Sequence, residues 1–145
     1  MSTPVERAAE LFSQKYNCSQ SVFAAFAIPL GLDRQVALKL ASPFGGGVAR
    51  QGEICGAVTG ALLAFGLLRG AESPAGKEEI YRLSQKFMGL FREKHGTLLC
   101  RNLIDCDIST TAGHQSAIEK QIFTTICPVL VRDAAGILQD LMDKS

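Results

Sequence analysis

From Ile54 to Leu68 the chain carries no charged side chain, with Glu53 just before the run and Arg69 just after it. A run of 15 residues this apolar has few places to go. As a helix it would span about 22 Å, short of the roughly 30 Å hydrocarbon layer of a bilayer. It must therefore be covered by the rest of the protein, and a buried central helix over about residues 55–68 is expected. Gly56, Gly60 and Ala64 fall four residues apart on one face of that helix. Small side chains in such a row let a neighbouring helix approach closely.

The flanking segments read as helices able to surround it. Thr3-Pro4-Val5-Glu6 supplies a cap, a proline at the first helical position and the glutamate of a capping box. Val5, Ala8, Ala9, Phe12 and Tyr16 then follow at helical spacing. Asn17 and Gln20 repeat the capping pattern around Cys18, and that helix should end near Pro29 and Gly31. Asp33 opens a short helix through Val36, Ala37, Leu40 and Ala41, stopped by Ser42-Pro43. Ser73-Pro74 precedes a long amphipathic helix bearing Ile80, Leu83, Phe87, Leu90 and Phe91, which closes at His95-Gly96. Thr97 should cap a short helix with Cys100 as its third residue, and another helix is expected between Thr111 and Phe123. Cys127-Pro128 opens the last, with Leu130, Ala134, Ile137, Leu138 and Leu141 facing inward. No segment alternates apolar and polar residues long enough to be a strand. The expectation is all-α: one compact helical bundle of about six to seven helices, forming a single domain over residues 1–145.

Composition narrows the function classes. A chain of 145 residues with 47% hydrophobic side chains can bury an adequate core without crosslinks. Fifteen basic and 14 acidic residues leave a net charge of +1, with no basic stripe for nucleic acid and no like-charge run for a membrane surface. The N-terminal residues lack a basic segment followed by an apolar one, so no secretory signal and no membrane span are expected, and a cytoplasmic location follows. In a reducing compartment the five cysteines should be thiols, metal ligands or transient disulfides. Their odd number also argues against a fully paired framework.

Four of those cysteines, Cys18, Cys55, Cys100 and Cys127, fall where helices are expected to begin. Unpaired N–H groups and the positive end of the helix dipole favour a thiolate there, and the thiolate is the attacking and metal-ligating form. Three readings follow. The four sulfurs could exchange disulfides, as in a thiol–disulfide oxidoreductase, with Cys55 attacking and Cys18 or Cys100 resolving. They could ligate zinc or an iron–sulfur cluster, although no CxxC pair is present. Or they could be buried small hydrophobes in a module that only docks on a partner. Cys106, between Asp105 and Asp107, is the least suited to form a thiolate; it is either a slow resolving thiol for Cys100 or incidental. Gly45, Gly46 and Gly47, followed by Arg50 and Gly52, match no phosphate-loop pattern. They are expected to permit left-handed backbone or close contact, leaving Cys55 approachable with Arg50 nearby. His95 and His114 read as a helix-end cation and a surface residue.

Asn-Cys-Ser-Gln-Ser at 17–21, Phe-Gly-Gly-Gly at 44–47, Cys-Gly-Ala-Val-Thr-Gly at 55–60, Cys-Arg-Asn-Leu at 100–103 and Cys-Pro at 127–128 together resemble the C-GCAxxG-C-C family of small, redox-labelled bacterial and archaeal proteins. The resemblance runs from about residue 5 to 142. It implies that Cys18, Cys55, Cys100 and Cys127 form the defining set, with Gly56, Ala57 and Gly60 completing the central motif and Cys106 outside it. Here Ile54 stands where the motif begins with glycine. Members are often encoded near transporters, so the resemblance implies transporter association, alongside a redox partner protein or a small thiol; a homo-oligomer is compatible with it.

Overall fold

Three helix starts form as their side chains predict. Thr3 Oγ1 accepts from Glu6 N–H at 3.1 Å, Asn17 Oδ1 from Gln20 N–H at 2.8 Å and Asp33 Oδ2 from Val36 N–H at 3.1 Å. At Asn17 the box is reciprocal, since Gln20 Oε1 accepts the Asn17 N–H at 3.0 Å. In the computed structural model, which describes residues 2–144, these caps open α1 (Pro4–Ser13), α2 (Cys18–Ala27) and α3 (Arg34–Ala41). They are followed by α4 (Gly56–Arg69), α5 (Lys77–His95), α6 (Cys100–Leu103), α7 (Thr111–Glu119), α8 (Ile122–Thr125) and α9 (Cys127–Lys144). Short 3₁₀ turns at Ser42–Phe44 and Pro74–Gly76 complete the helical segments. Seven of the α-helices have eight residues or more, in line with the six to seven expected. Extended pairing among the described residues is confined to one isolated antiparallel bridge, Ile54 with Leu99.

The expected central helix exists, but it shares the centre. Eight of the ten residues of α2 are buried, against seven of the fourteen in α4. The sequence carried the signal, since residues 16–32 also lack any charge. The α2–α4 contact is made by backbone meeting backbone. A methyl group on Gly60 would lie 2.6 Å from the Ser19 carbonyl oxygen and 3.0 Å from Ser19 Cα. Around this pair, α9 packs on α1, α2, α4 and α5, and Phe65, Phe87 and Phe91 fill the space between α4 and α5. Phe65 meets Phe87 edge-on, with centroids 5.9 Å apart, the arrangement aromatic rings prefer.

Gly60 and Gly66 make a matched test on one helix. Gly60→Ala is expected to cost about 2–3 kcal/mol, the upper part of the overpacking range, because rigid backbone rather than a movable side chain meets the new methyl. Gly66→Ala, where nothing lies within 4 Å of the new methyl, should instead gain roughly 0.5–1 kcal/mol through helix propensity. Urea unfolding of both variants reads the contrast; equal effects would show that the α2–α4 approach does not depend on Gly60.

The remaining differences from expectation are local. Val36 and Leu40 face outward on α3, while Ala37 and Ala41 carry its buried face. The segment from Thr111 breaks at Gln121, whose φ of 59° divides α7 from α8. The stretch Ile122–Lys144 is long and apolar enough by length and composition to cross a membrane. Here Leu130, Val131, Ala134, Ala135, Leu138 and Leu141 of that stretch bury themselves in the protein core. Asp133 on α9 meets Lys94 Nζ at 3.3 Å and lies 2.9 Å from His95 Nε2, off the line of a hydrogen bond. This fits a core helix anchored by its neighbours.

Candidate functional site

Four helix starts meet in one place. Cys18, Cys100 and Cys127 are the first residues of α2, α6 and α9, and Cys55 is the cap residue before α4. Cys100 is thus the first helical residue and not the third: Thr97 Oγ1 accepts from Leu99 N–H at 3.1 Å, but Leu99 holds the cap position.

Backbone bonds bring two of them side by side. Next to the Ile54–Leu99 bridge, Cys55 N–H donates to Leu98 O at 2.8 Å and Cys100 N–H to Glu53 O at 2.7 Å. A close glycine contact brings in Cys18, which hydrogen-bonds Cys127, and another seats Cys100. A methyl group on Gly56 would sit 3.1 Å from Cys18 Cβ, and one on Gly47 only 2.7 Å from Cys100 Cβ. Gly47 also has a φ of +70°, so both its conformation and its contact require glycine.

The outcome is a cavity of about 1080 Å³ lined by all four cysteines and by Gly45, Gly46, Gly47 and Gly56. Cys55, Cys100 and Cys127 are buried, while Cys18 is partly open. All five cysteines are free thiols. Arg50 lines the cavity as the sequence suggested, and so does His114, which the sequence placed on the surface. Lys15, Tyr16, Asn17 and Arg132 also line it, although sequence reasoning gave Tyr16 and Asn17 only helix-forming roles and the other two none. For Lys15, Tyr16 and Asn17 the available signal was their position just ahead of Cys18.

The electrostatics depart from the helix-start argument. Burial pushes the Cys55 thiol up to about 11, although the N–H groups of Ala57 and Val58 pull it down as a helix start should. Burial, followed by the nearby Cys55 and Cys127 sulfurs, lifts Cys100 to about 12. Cys18 is raised well above the ordinary value, first by its hydrogen bond with Cys127 and then by burial. Only Cys127 is lowered, because the Cys18 thiol donates to it. The magnitudes explain this outcome. A helix end supplies about 0.3–1 kcal/mol, less than one pKa unit, whereas full burial shifts a group by up to about 3–5 units. Within the pair Cys18 and Cys127 the hydrogen bond therefore makes Cys127 the more readily ionised sulfur and Cys18 the one that holds its proton longer.

No group of three or more His, Cys, Asp or Glu among the described residues is assembled as a metal shell. The donor set for zinc or an iron–sulfur cluster is thus not drawn together, although the sulfurs are close enough to perturb one another. Cys106 does not line the cavity. Its thiol donates to Gly113 O at 3.2 Å, and the side chain packs in a second apolar cluster with Ile104, Ile108, Ala117 and Ile122.

These features define a helical protein built around a buried thiol cluster. The chain belongs to the C_GCAxxG_C_C family, described as "Putative redox-active protein (C_GCAxxG_C_C)", which it matches over residues 16–141. Comparison with curated proteins and with solved structures gives no match. The family's label supports a redox role for the chain.

Proposed function

We propose that the protein is a thiol–disulfide redox protein whose working pair is Cys127 and Cys18, with Cys55 and Cys100 as a buried second pair. The observation that carries this reading is the convergence of four cysteines from four separate helices on one open-mouthed cavity. The division of labour rests on their hydrogen bond: Cys127 is the sulfur more readily ionised for attack and Cys18 the one beside it.

The Cys127 thiolate attacks one sulfur of an incoming disulfide R–S–S–R. A Cys127–S–S–R bond forms, and R–S⁻ leaves. Cys18 then gives up its proton, and its sulfur attacks Cys127 Sγ, expelling the second R–S⁻. The protein ends with a Cys18–Cys127 disulfide, having lost two electrons to the substrate, which leaves as two thiols after protonation. A dithiol reductant returns the pair to the starting state by the reverse exchange. Cys55, which the sequence argument made the attacking thiol, is less suited to that role because burial keeps it protonated.

The test is stoichiometric. Fully reduced protein, treated with one equivalent of bis(2-hydroxyethyl) disulfide and quenched by alkylation, should lose two thiols and yield a Cys18–Cys127 crosslink on peptide mapping. A crosslink that excludes Cys127, or no crosslink over hours, would reject the mechanism.

A further inference from the structure

The charge around the cavity is one-sided. The chain has 14 acidic residues, yet none lines the cavity, whereas Lys15, Arg50 and Arg132 all do. None of these three cations forms an ion pair or side-chain hydrogen bond among the described residues, while Arg82, Lys94 and Arg101 are each paired with a carboxylate elsewhere. The cavity cations are therefore uncompensated.

Arg50 is also fixed in place. Gly46, Gly47, Val48, Ala49 and Arg50 all have φ between 50° and 70°, a left-handed run that is costly for Val48 with its branched side chain. Six backbone bonds hold it, among them Ala49 N–H to Pro43 O at 2.8 Å, Arg50 N–H to Gly45 O at 3.0 Å, Gly52 N–H to Gly46 O at 3.1 Å and Glu53 N–H to Gly47 O at 2.8 Å. A strained segment this well fastened holds the backbone of Arg50 at the cavity's edge. Beneath the cations, Phe12, Ile104, Ile108 and Phe123 give the cavity apolar walls. At about 1080 Å³ it lies just above the usual size range of small-molecule sites, with room for a small ligand.

We infer that the cavity takes a small anionic disulfide, its carboxylates held by Arg50 and Arg132 and its S–S bond laid over Cys127 and Cys18. This deepens the thiol-exchange reading and rests on it.

Three disulfides of similar length and different charge test it: 3,3′-dithiodipropionate (anionic), bis(2-hydroxyethyl) disulfide (neutral) and cystamine (cationic). Rates of thiol loss are divided by each reagent's rate with a free model thiol. The anion should be favoured over cystamine by at least about tenfold, the lower end of what a single-sign cleft adds to association. The preference should shrink in high salt and in an Arg50→Gln/Arg132→Gln variant whose circular dichroism is unchanged. Suberate, the sulfur-free counterpart of dithiodipropionate, should bind the reduced protein by calorimetry and slow alkylation of Cys127. Equal rates for the three disulfides with no suberate binding would overturn the anion site while leaving thiol exchange standing. Suberate binding with no reaction of any disulfide would keep the anion site and remove the thiol mechanism.

Discussion

Raising the pH from 9 to 11 should destabilise the reduced protein by on the order of 5 kcal/mol, enough to unfold many domains of this size. The sign follows from proton linkage. Cys55 and Cys100 have native values of about 11 and about 12 against 9.0 for a free thiol. Below pH 9 both are neutral in either state and cost nothing. Above it the unfolded chain releases these protons while the native protein keeps them, so stability falls by about 1.4 kcal/mol per pH unit for each thiol. The loss from Cys55 ends near pH 11 and that from Cys100 near pH 12. Cys18, raised as well, adds in the same direction. Cys127 acts oppositely and earlier: its lowered value adds stability as the pH rises toward 9 and nothing beyond. Anaerobic urea unfolding at pH 8, 9, 10 and 11 measures the curve. A Cys55→Ala/Cys100→Ala protein should lose most of the slope, and an unchanged slope in it would place the alkaline sensitivity elsewhere.

Replacing Cys127 with serine should slow exchange with a small disulfide at pH 7 by at least about tenfold. The remaining cavity thiols, Cys18 included, are all less acidic than Cys127, and two effects compete in their rates. Each unit of added pKa cuts the thiolate fraction tenfold but raises intrinsic nucleophilicity by only about threefold, leaving a net loss of roughly threefold per unit. Cys55 at about 11 lies two units above an ordinary thiol and Cys100 about three, so they fall short by about tenfold or more before burial restricts access. The pH profile separates this loss from a structural one. The native protein's rate should level off at lower pH than an ordinary thiol's, because Cys127 ionises more readily, while that of Cys127→Ser should keep climbing past pH 10. Cys18→Ser gives the complementary signature. In a Cys18→Ala protein, which has no donor at that position, the profile shifts to higher pH because Cys127 loses the hydrogen bond that lowers it, and there as in Cys18→Ser the mixed disulfide accumulates for want of a resolving thiol. If Cys127→Ser and the native protein share one profile, Cys127 is not the attacking sulfur.

Local patterns along the chain carried most of the architecture. The caps at Thr3, Asn17 and Asp33 act through side chains within three residues of the groups they satisfy, so they could be read directly. The burial of α4 followed from its lack of charge, and its close approach to a neighbour from Gly56 and Gly60. Placing four cysteines at helix starts was likewise local, and the structure gathers them: the first residues of α2, α6 and α9 and the cap of α4 all line one cavity.

What the chain could not disclose along its length was how those starts bear on one another. Whether a thiol ionises depends on how far it is buried and on which sulfur faces it, and both are set by contacts between helices distant in sequence. Thus the same local position, a helix start, yields a lowered Cys127 and raised Cys18, Cys55 and Cys100. The gathering of Lys15, Arg50 and Arg132 around that cavity is tertiary for the same reason: no spacing rule links a turn before α2, a left-handed loop and the second turn of α9. Sequence chose the helices and the sulfurs through short-range hydrogen bonding and hydrophobicity. Packing assigned the chemistry, because desolvation and charge act through space.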